Sequence, residues 1–400
     1  LPTHGPATLT TPVTIQGTGF VAGATVVFGA SLATGVVVDS ATQIRCTAPS
    51  GSGTVSVTIN NADGQSDTEP GAFTYDPAPT FGSISPDHGP ATITIGVTII
   101  GTNFVAGASV TFGGSLATGV SVDSATQISC TTPTHAAGAV DVVVTNPDAQ
   151  TATGSGAYTF DPAPTFGSIS PTHGPATFTT AVTIIGTNFG GGASVTFGGT
   201  LAIGVSVDSA TQISCTAPTH AAGAVDVVIT NPDAQTGTGA GAFTYDAVPT
   251  VTGVSPANGP ATIPTAVTVT GTGFLASATV TFGGSLATGV TVVNGTTIAC
   301  TTPTHAAGQV DVVVNNTDGQ SGTGTNAYTY DPAPTFGSIS PTHGPATIPT
   351  AVTIIGTNFV AGASVTFGGS LATGVSVDSS TQISCTTPTH AAGAVDVVVT

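Results

Sequence analysis

The chain repeats itself with a period of 85 residues, and that period limits the fold before any motif does. A His-Gly-Pro-Ala segment or its variant recurs at Gly5, Gly89, Gly174, Gly259 and Gly344, and a lone cysteine recurs at Cys46, Cys130, Cys215, Cys300 and Cys385. Both series step by 84, 85, 85 and 85. Residues 81–145 and 336–400 differ at only five of 65 positions. A fixed long period marks an array of similar modules. Near-copies point to length, spacing or multivalency, because a catalytic site has no use for five almost identical scaffolds. The 400 residues divide into modules 1–77, 78–162, 163–247, 248–332 and 333–400, each large enough to bury a small core.

Both ends fall inside a module. Leu1-Pro2-Thr3 aligns with Ser255-Pro256-Ala257, and Thr400 aligns with Thr145 and Thr230. The expectation is a window on a longer protein, with donation of strands by neighbouring chains as the alternative.

Charge is scarce. One basic residue, Arg45, stands against 19 acidic ones, and all charged residues together make up 5% of the chain. Nucleic acid is excluded as a partner, since phosphate binding needs clustered Lys and Arg. Anionic membrane surfaces are excluded for the same reason. No run of 18 apolar residues exists to span a bilayer. A soluble protein carries about a quarter of its residues as charged ones. A surface this neutral, with positive mean hydropathy, faces another protein, carries glycans or resists proteases.

In the second module, short β-branched runs at 81–85, 93–101, 108–112, 116–122, 126–132, 140–145 and 157–160 are separated by turn residues. No window shows a helical stripe. Seven short strands in one period predict an all-β, two-sheet immunoglobulin-like sandwich. The junctions, such as Tyr75-Asp-Pro-Ala-Pro79 and Phe160-Asp-Pro-Ala-Pro164, are short and proline-stiffened. They predict a rod rather than beads on a string.

The motifs Ile169-Ser-Pro-Thr-His-Gly-Pro175, Val182-Thr-Ile-Ile-Gly-Thr-Asn-Phe189, Val195-Thr-Phe-Gly-Gly199, Ile213-Ser-Cys215 with Pro218, Val225-Asp-Val-Val-Ile229 and Phe243-Thr-Tyr245 recur in order in every unit apart from the truncated ends. They resemble the IPT/TIG domain. The resemblance implies an immunoglobulin-like fold. It also implies one of several settings: extracellular receptors, Rel-type transcription factors, accessory modules of polysaccharide enzymes, or long arrays in bacterial and archaeal surface proteins. This chain lacks the basic loops of the DNA-binding members, and a surface array fits it best. Function carried from fold alone is analogy.

The chemistry-bearing residues have two readings each. Cys46, Cys130, Cys215, Cys300 and Cys385 are one per module and read as buried, inert thiols, with cross-linking between chains as the alternative. His88, His135 and Asp161, and likewise His173, His220 and Asp246, lie in turns and linkers expected at one pole of a module. They are exposed turn residues or a junction site for a transition metal. Module one has Ser50-Gly51 in place of the second histidine, and module four has Asn258 in place of the first. Asn146-Pro-Asp148, Asn231-Pro-Asp233 and Asn316-Thr-Asp318 suit tight turns or, alternatively, calcium between modules. Asp141, Asp226, Asp311 and Asp396 alternate with valine and are expected to face solvent. Asn294-Gly-Thr296 and Asn315-Asn-Thr317 match the N-glycosylation pattern. No catalytic constellation is present and no cofactor is implied.

The expected function is therefore non-enzymatic and extracellular: a stalk, fibre, self-assembling filament or sheath whose main partner is itself. A bare uncharged exterior and unprotected sheet edges favour self-packing. The alternatives are a multivalent adhesin or carbohydrate-binding array, with glycans or a host or neighbouring cell as partner, or an accessory region of a large polysaccharide-acting enzyme. A glycan platform needs exposed aromatics, yet no Trp exists and Phe81, Phe104, Phe112 and Tyr158 fall at core-type positions.

Overall fold

The computed structural model describes residues 1–400, and every regular element in it is a β-strand. No helix is long and apolar enough to cross a membrane. The residues fall into two compact units. One comprises Leu1–Pro171, Ala181–Ala217 and Val225–Ala242; the other comprises Thr172–Thr180, Pro218–Ala224 and Phe243–Thr400.

In the first unit, residues 78–162 show the repeating pattern. One sheet orders Thr118–Ser124, Gln127–Thr131, Gly96–Thr102 and Thr80–Ser85; the other orders His88–Pro90, Thr151–Asp161, Gly138–Thr145, Ser109–Phe112 and Ser115–Leu116. Alternation decides which residues go inside. Along Gln127–Thr131, Ile128 and Cys130 are buried while Gln127, Ser129 and Thr131 are only partly covered. Val97, Ile99, Val110, Phe112, Val142 and Val144 close the core from both sheets. Each such side chain contributes about 1.5–3 kcal/mol by leaving water. At the centre Tyr158 meets Phe112 edge-on at 5.2 Å and Phe160 at 4.9 Å. The second unit repeats this arrangement in residues 249–331, around Val269, Val280, Phe282, Ile298, Val312 and Tyr328.

Nine strands form where seven were expected. The 116–122 run is preceded by a separate pair, Ser115–Leu116, joined to Ser109–Phe112 by Gly113-Gly114 at φ 54° and 88°. Positive φ at both positions is what a type I′ two-residue hairpin requires. The last strand is Thr151–Asp161 rather than 157–160. Its Thr-Gly-Ser-Gly half carries no hydrophobic signal, and Gly154 is glycine because the Phe81 ring lies where a Cβ would stand, 2.4 Å away. The segment read as a turn at 86–90 holds a third correction. His88–Pro90 is a strand, paired in parallel with Thr159, Phe160 and Asp161. The module's first strand thus belongs to one sheet and its continuation to the other.

All five cysteines are buried and free. Burial pushes the thiols of Cys46, Cys130, Cys215 and Cys300 up to about 11 and raises that of Cys385. At that value almost no thiolate exists near neutral pH, so these are apolar packing groups.

Candidate functional site

The turn histidines and linker aspartates singled out as candidates gather where one module ends and the next begins. The linker aspartate is the centre of each such place. His88 Nδ1 lies 2.9 Å from Asp161 Oδ2. A carboxylate only accepts, so Nδ1 carries the proton. His4 with Asp76 and His173 with Asp246 repeat the pair at 2.7 Å. Asn258 substitutes in the fourth module, its Nδ2 donating to Asp331 Oδ2 at 2.6 Å. The hydrogen bond to Asp161, then its charge, raise the His88 imidazole above its ordinary value; Asp87 adds to this and desolvation opposes it.

The second histidine does not join. His135 Nδ1 donates to the Ala136 carbonyl at 2.9 Å, and its ring lies flat on Phe160 with centroids 5.0 Å apart. His220 stacks on Tyr245 and His305 on Tyr330 in the same way. In the first module the Tyr75 ring lies against Gly51, the position of the missing histidine. Each expected triad is therefore a His–Asp pair plus a stacking histidine. No group of three or more His, Cys, Asp or Glu is placed to hold a metal ion.

The aspartates between the last two strands are also spoken for. Asp148 Oδ1 accepts from the Gln150 N–H at 3.1 Å and Oδ2 from Gln150 Nε2 at 2.8 Å. Asp233 and Asp318 do the same for Gln235 and Gln320. Asn146 is buried and ties its loop to the next: Oδ1 accepts from the Val105 N–H, and Nδ2 donates to the Asn103 carbonyl. Asp141 faces solvent as expected, and its Oδ1 also accepts from the Gly156 N–H at 2.8 Å and Ser155 Oγ at 3.1 Å. Of the two glycosylation candidates, Asn294 is exposed, while Asn315 is half-buried at the end of a paired strand.

What sequence reasoning missed is the glutamine. Gln150, Gln235 and Gln320 are 1%, 1% and 2% exposed, and each side chain enters the preceding module. Gln150 Oε1 accepts from the Thr8 N–H at 3.1 Å and from Thr8 Oγ1 at 2.9 Å. Its Nε2 donates to the Asp76 carbonyl at 3.0 Å. Gln235 repeats this on Thr92 and the Asp161 carbonyl, and Gln320 on Thr177 and the Asp246 carbonyl. A second grip comes from Asn103 and Asn188, which donate to the linker carbonyls of Ala78 and Ala163. The linker is thus hydrogen-bonded along its length. The one available signal was a Gln two residues after the Asp of every Asn-x-Asp-x-Gln loop.

A family model described as the IPT/TIG domain matches residues 1–75, 79–161, 164–245, 249–330 and 334–400. No curated protein sequence matches the chain. Among solved structures, the plexin A4 full extracellular region shares 20% identity over 99% of this chain and 42% of its own, with a TM-score of 0.28. Invasin, described as a bacterial integrin-binding protein, shares 14% over 82% and 80%, with a TM-score of 0.24. A surface glycan-binding protein of Bacteroides ovatus, solved with a mixed-linkage heptasaccharide, shares 16% over 62% and 66%, with a TM-score of 0.19. The chain spans less than half of the two plexin A4 regions it matches, 42% and 48%.

Proposed function

The chain belongs to the IPT/TIG domain family in all five of its modules, and from that premise we propose that it is a non-enzymatic structural array, exposed on a cell surface or secreted, whose task is to hold a fixed spacing under load. The observation that carries this reading is the recurring buried glutamine. A flexible tether needs no ordered contacts between modules. Here three successive junctions set the same side chain into the same socket of threonine and linker carbonyl. Two polar partners at fixed positions define an orientation, which bare proline linkers do not.

One recurring surface feature supports packing of such arrays against one another. Leu32, Leu116, Leu201, Leu286 and Leu371 occupy the same outermost two-residue strand in each module and are 63–65% exposed. Equivalent apolar contacts spaced by one module suit lateral association of copies. A carbohydrate platform finds less support, since Tyr75, Tyr158, Tyr245, Tyr328 and Tyr330 are all buried. Electron microscopy of the native material, taken without denaturation, tests the proposal. Ordered filaments or sheets that disappear in the Leu116→Lys, Leu201→Lys variant, with its cysteines still protected from alkylation, are the expected result. Unchanged assemblies in that variant would refute lateral packing through these leucines. Single particles bound to glycan would favour the adhesin reading.

A further inference from the structure

We propose that the parallel strand pair at the end of each module is a load-bearing clamp held shut by the module that follows, so that mechanical stability is handed along the array in one direction. This rests on the load-bearing reading above. In the second module the chain enters through Thr80–Ser85 and His88–Pro90 and leaves along Thr151–Asp161. His88–Pro90 and the end of the last strand run parallel. Tension on the two chain ends drives these segments past each other along their axes. The bonds between them lie across the motion, so they are strained together rather than one after another.

Beyond the ladder that pairs His88, Gly89 and Pro90 with Thr159, Phe160 and Asp161, the bonds at its two ends are identifiable. The Thr159 N–H donates to the Asp87 carbonyl at 3.0 Å, and the Ala91 N–H donates to the Asp161 carbonyl at 2.9 Å. His88 adds the side-chain bond to Asp161. Two of these flanking bonds end on Asp161, the last residue of its strand.

Gln235 of the third module closes the open end of this pair. Its Oε1 accepts from Thr92, the residue after Ala91, and its Nε2 donates to the Asp161 carbonyl. One amide thus holds the continuation of both clamp strands. Sliding must separate Thr92 from Asp161, which breaks the grip on one of them. Gln150 bridges Thr8 and Asp76 around the first module's clamp, and Gln320 bridges Thr177 and Asp246 around the third's. Gln235 belongs to the third module, yet the clamp it closes is the second's. The coupling is therefore directional.

Hydrogen exchange read by mass spectrometry on the 400-residue chain tests this, because Ala157-Tyr-Thr-Phe160 and Pro86-Asp-His-Gly-Pro90 differ in sequence from their counterparts in the other modules. In Gln235→Ala, the Ala91 and Thr159 amides are expected to exchange about tenfold faster or more, the effect of losing one or two net hydrogen bonds. Ala176 and Thr244, in the third module's own clamp, keep their rates. The Thr92→Val variant removes one donor from the other side and is expected to accelerate the same two amides by a smaller factor; this guards against a local collapse of the Gln235 loop. Unchanged rates in the second module, or acceleration confined to the third, would overturn the proposal. Pulling the Gln150→Ala, Gln235→Ala, Gln320→Ala variant between its termini is expected to lower three rupture events. Rupture forces equal to those of the unaltered chain would overturn the load-bearing role, whatever assemblies microscopy shows.

Discussion

Gly283→Ala in the fourth module isolates one steric relation and its consequence. Gly283 has φ +54°, and a Cβ built there stands 2.7 Å from His305 Nε2 and 3.0 Å from Val310 Cγ1. The left-handed backbone costs a residue with a Cβ about 1–2 kcal/mol. The methyl must also displace the imidazole, which is anchored on the Ala306 carbonyl at 2.9 Å and stacked on Tyr330 with centroids 5.0 Å apart. Losing that stack adds about 0.5–1.5 kcal/mol. A total of about 2–3 kcal/mol makes opening of the module roughly 30- to 150-fold more frequent. Cys300 reports the opening, because its thiol is buried and pushed up to about 11 and so reacts only when the module opens. The peptide Thr297-Ile-Ala-Cys300 is unlike the other four cysteine peptides, which serve as internal controls. Alkylation of Cys300 alone is expected to rise by that factor. Adding His305→Ala removes the clash, so the double variant is expected to cost about 1 kcal/mol less than the sum of the single ones. Strict additivity, or a Cys300 rate that hardly moves, would refute the assigned role of this glycine.

Three further outcomes are expected. The His88 value is raised chiefly by its hydrogen bond to Asp161. Its contribution is therefore complete below the ordinary imidazole value and lost as pH rises through the folded one. Exchange at the Ala91 amide, corrected for intrinsic rate, is expected to quicken as pH rises through the raised His88 value, and His88→Asn, the arrangement seen at Asn258, is expected to flatten the profile. Asp141→Ala strips the Gly156 N–H of its acceptor and is expected to cost about 1–2 kcal/mol, seen as faster alkylation of Cys130. In a glycosylating host, Asn294 is expected to carry a glycan and Asn315 none; intact-peptide mass spectrometry finding the reverse would contradict their burial.

The sandwich and the buried thiols were legible because both rest on strict alternation, as in Ile128 and Cys130 against Gln127 and Ser129. The parallel strand at His88–Pro90 was not. Three residues containing Gly and Pro carry no strand propensity, and only their partner on the last strand makes them one. The meeting of His88 with Asp161 was inferred from the expected pole of a seven-strand sandwich, whereas the exclusion of His135 depends on a ring stack that no spacing encodes. Gln150 was overlooked for a different reason. Its loop reads as an ordinary Asx turn, and its burial is created by a neighbouring module rather than by its own.

The fourth module shows which junction contacts can vary. It has Asn258 where its neighbours have histidine, Gly273 where Asn103 and Asn188 stand, and the linker Asp246-Ala-Val-Pro249 in place of Asp-Pro-Ala-Pro. The side-chain grip on the second linker carbonyl is thereby absent, and Gly273 lies against the Ala247 and Val248 carbonyls themselves. Gln320, Asp318 and the Asp246 carbonyl are nevertheless arranged as at the other junctions. Across the three glutamine-bridged junctions, then, the asparagine and the first linker proline are exchangeable, whereas the glutamine bridge, the His–Asp pair and the second linker proline recur. A spacer requiring only short linkers has no need of the glutamine. At this junction one of the two prolines is replaced while the glutamine remains, which is the pattern expected if the bridge between the clamp strands sets the geometry of the array.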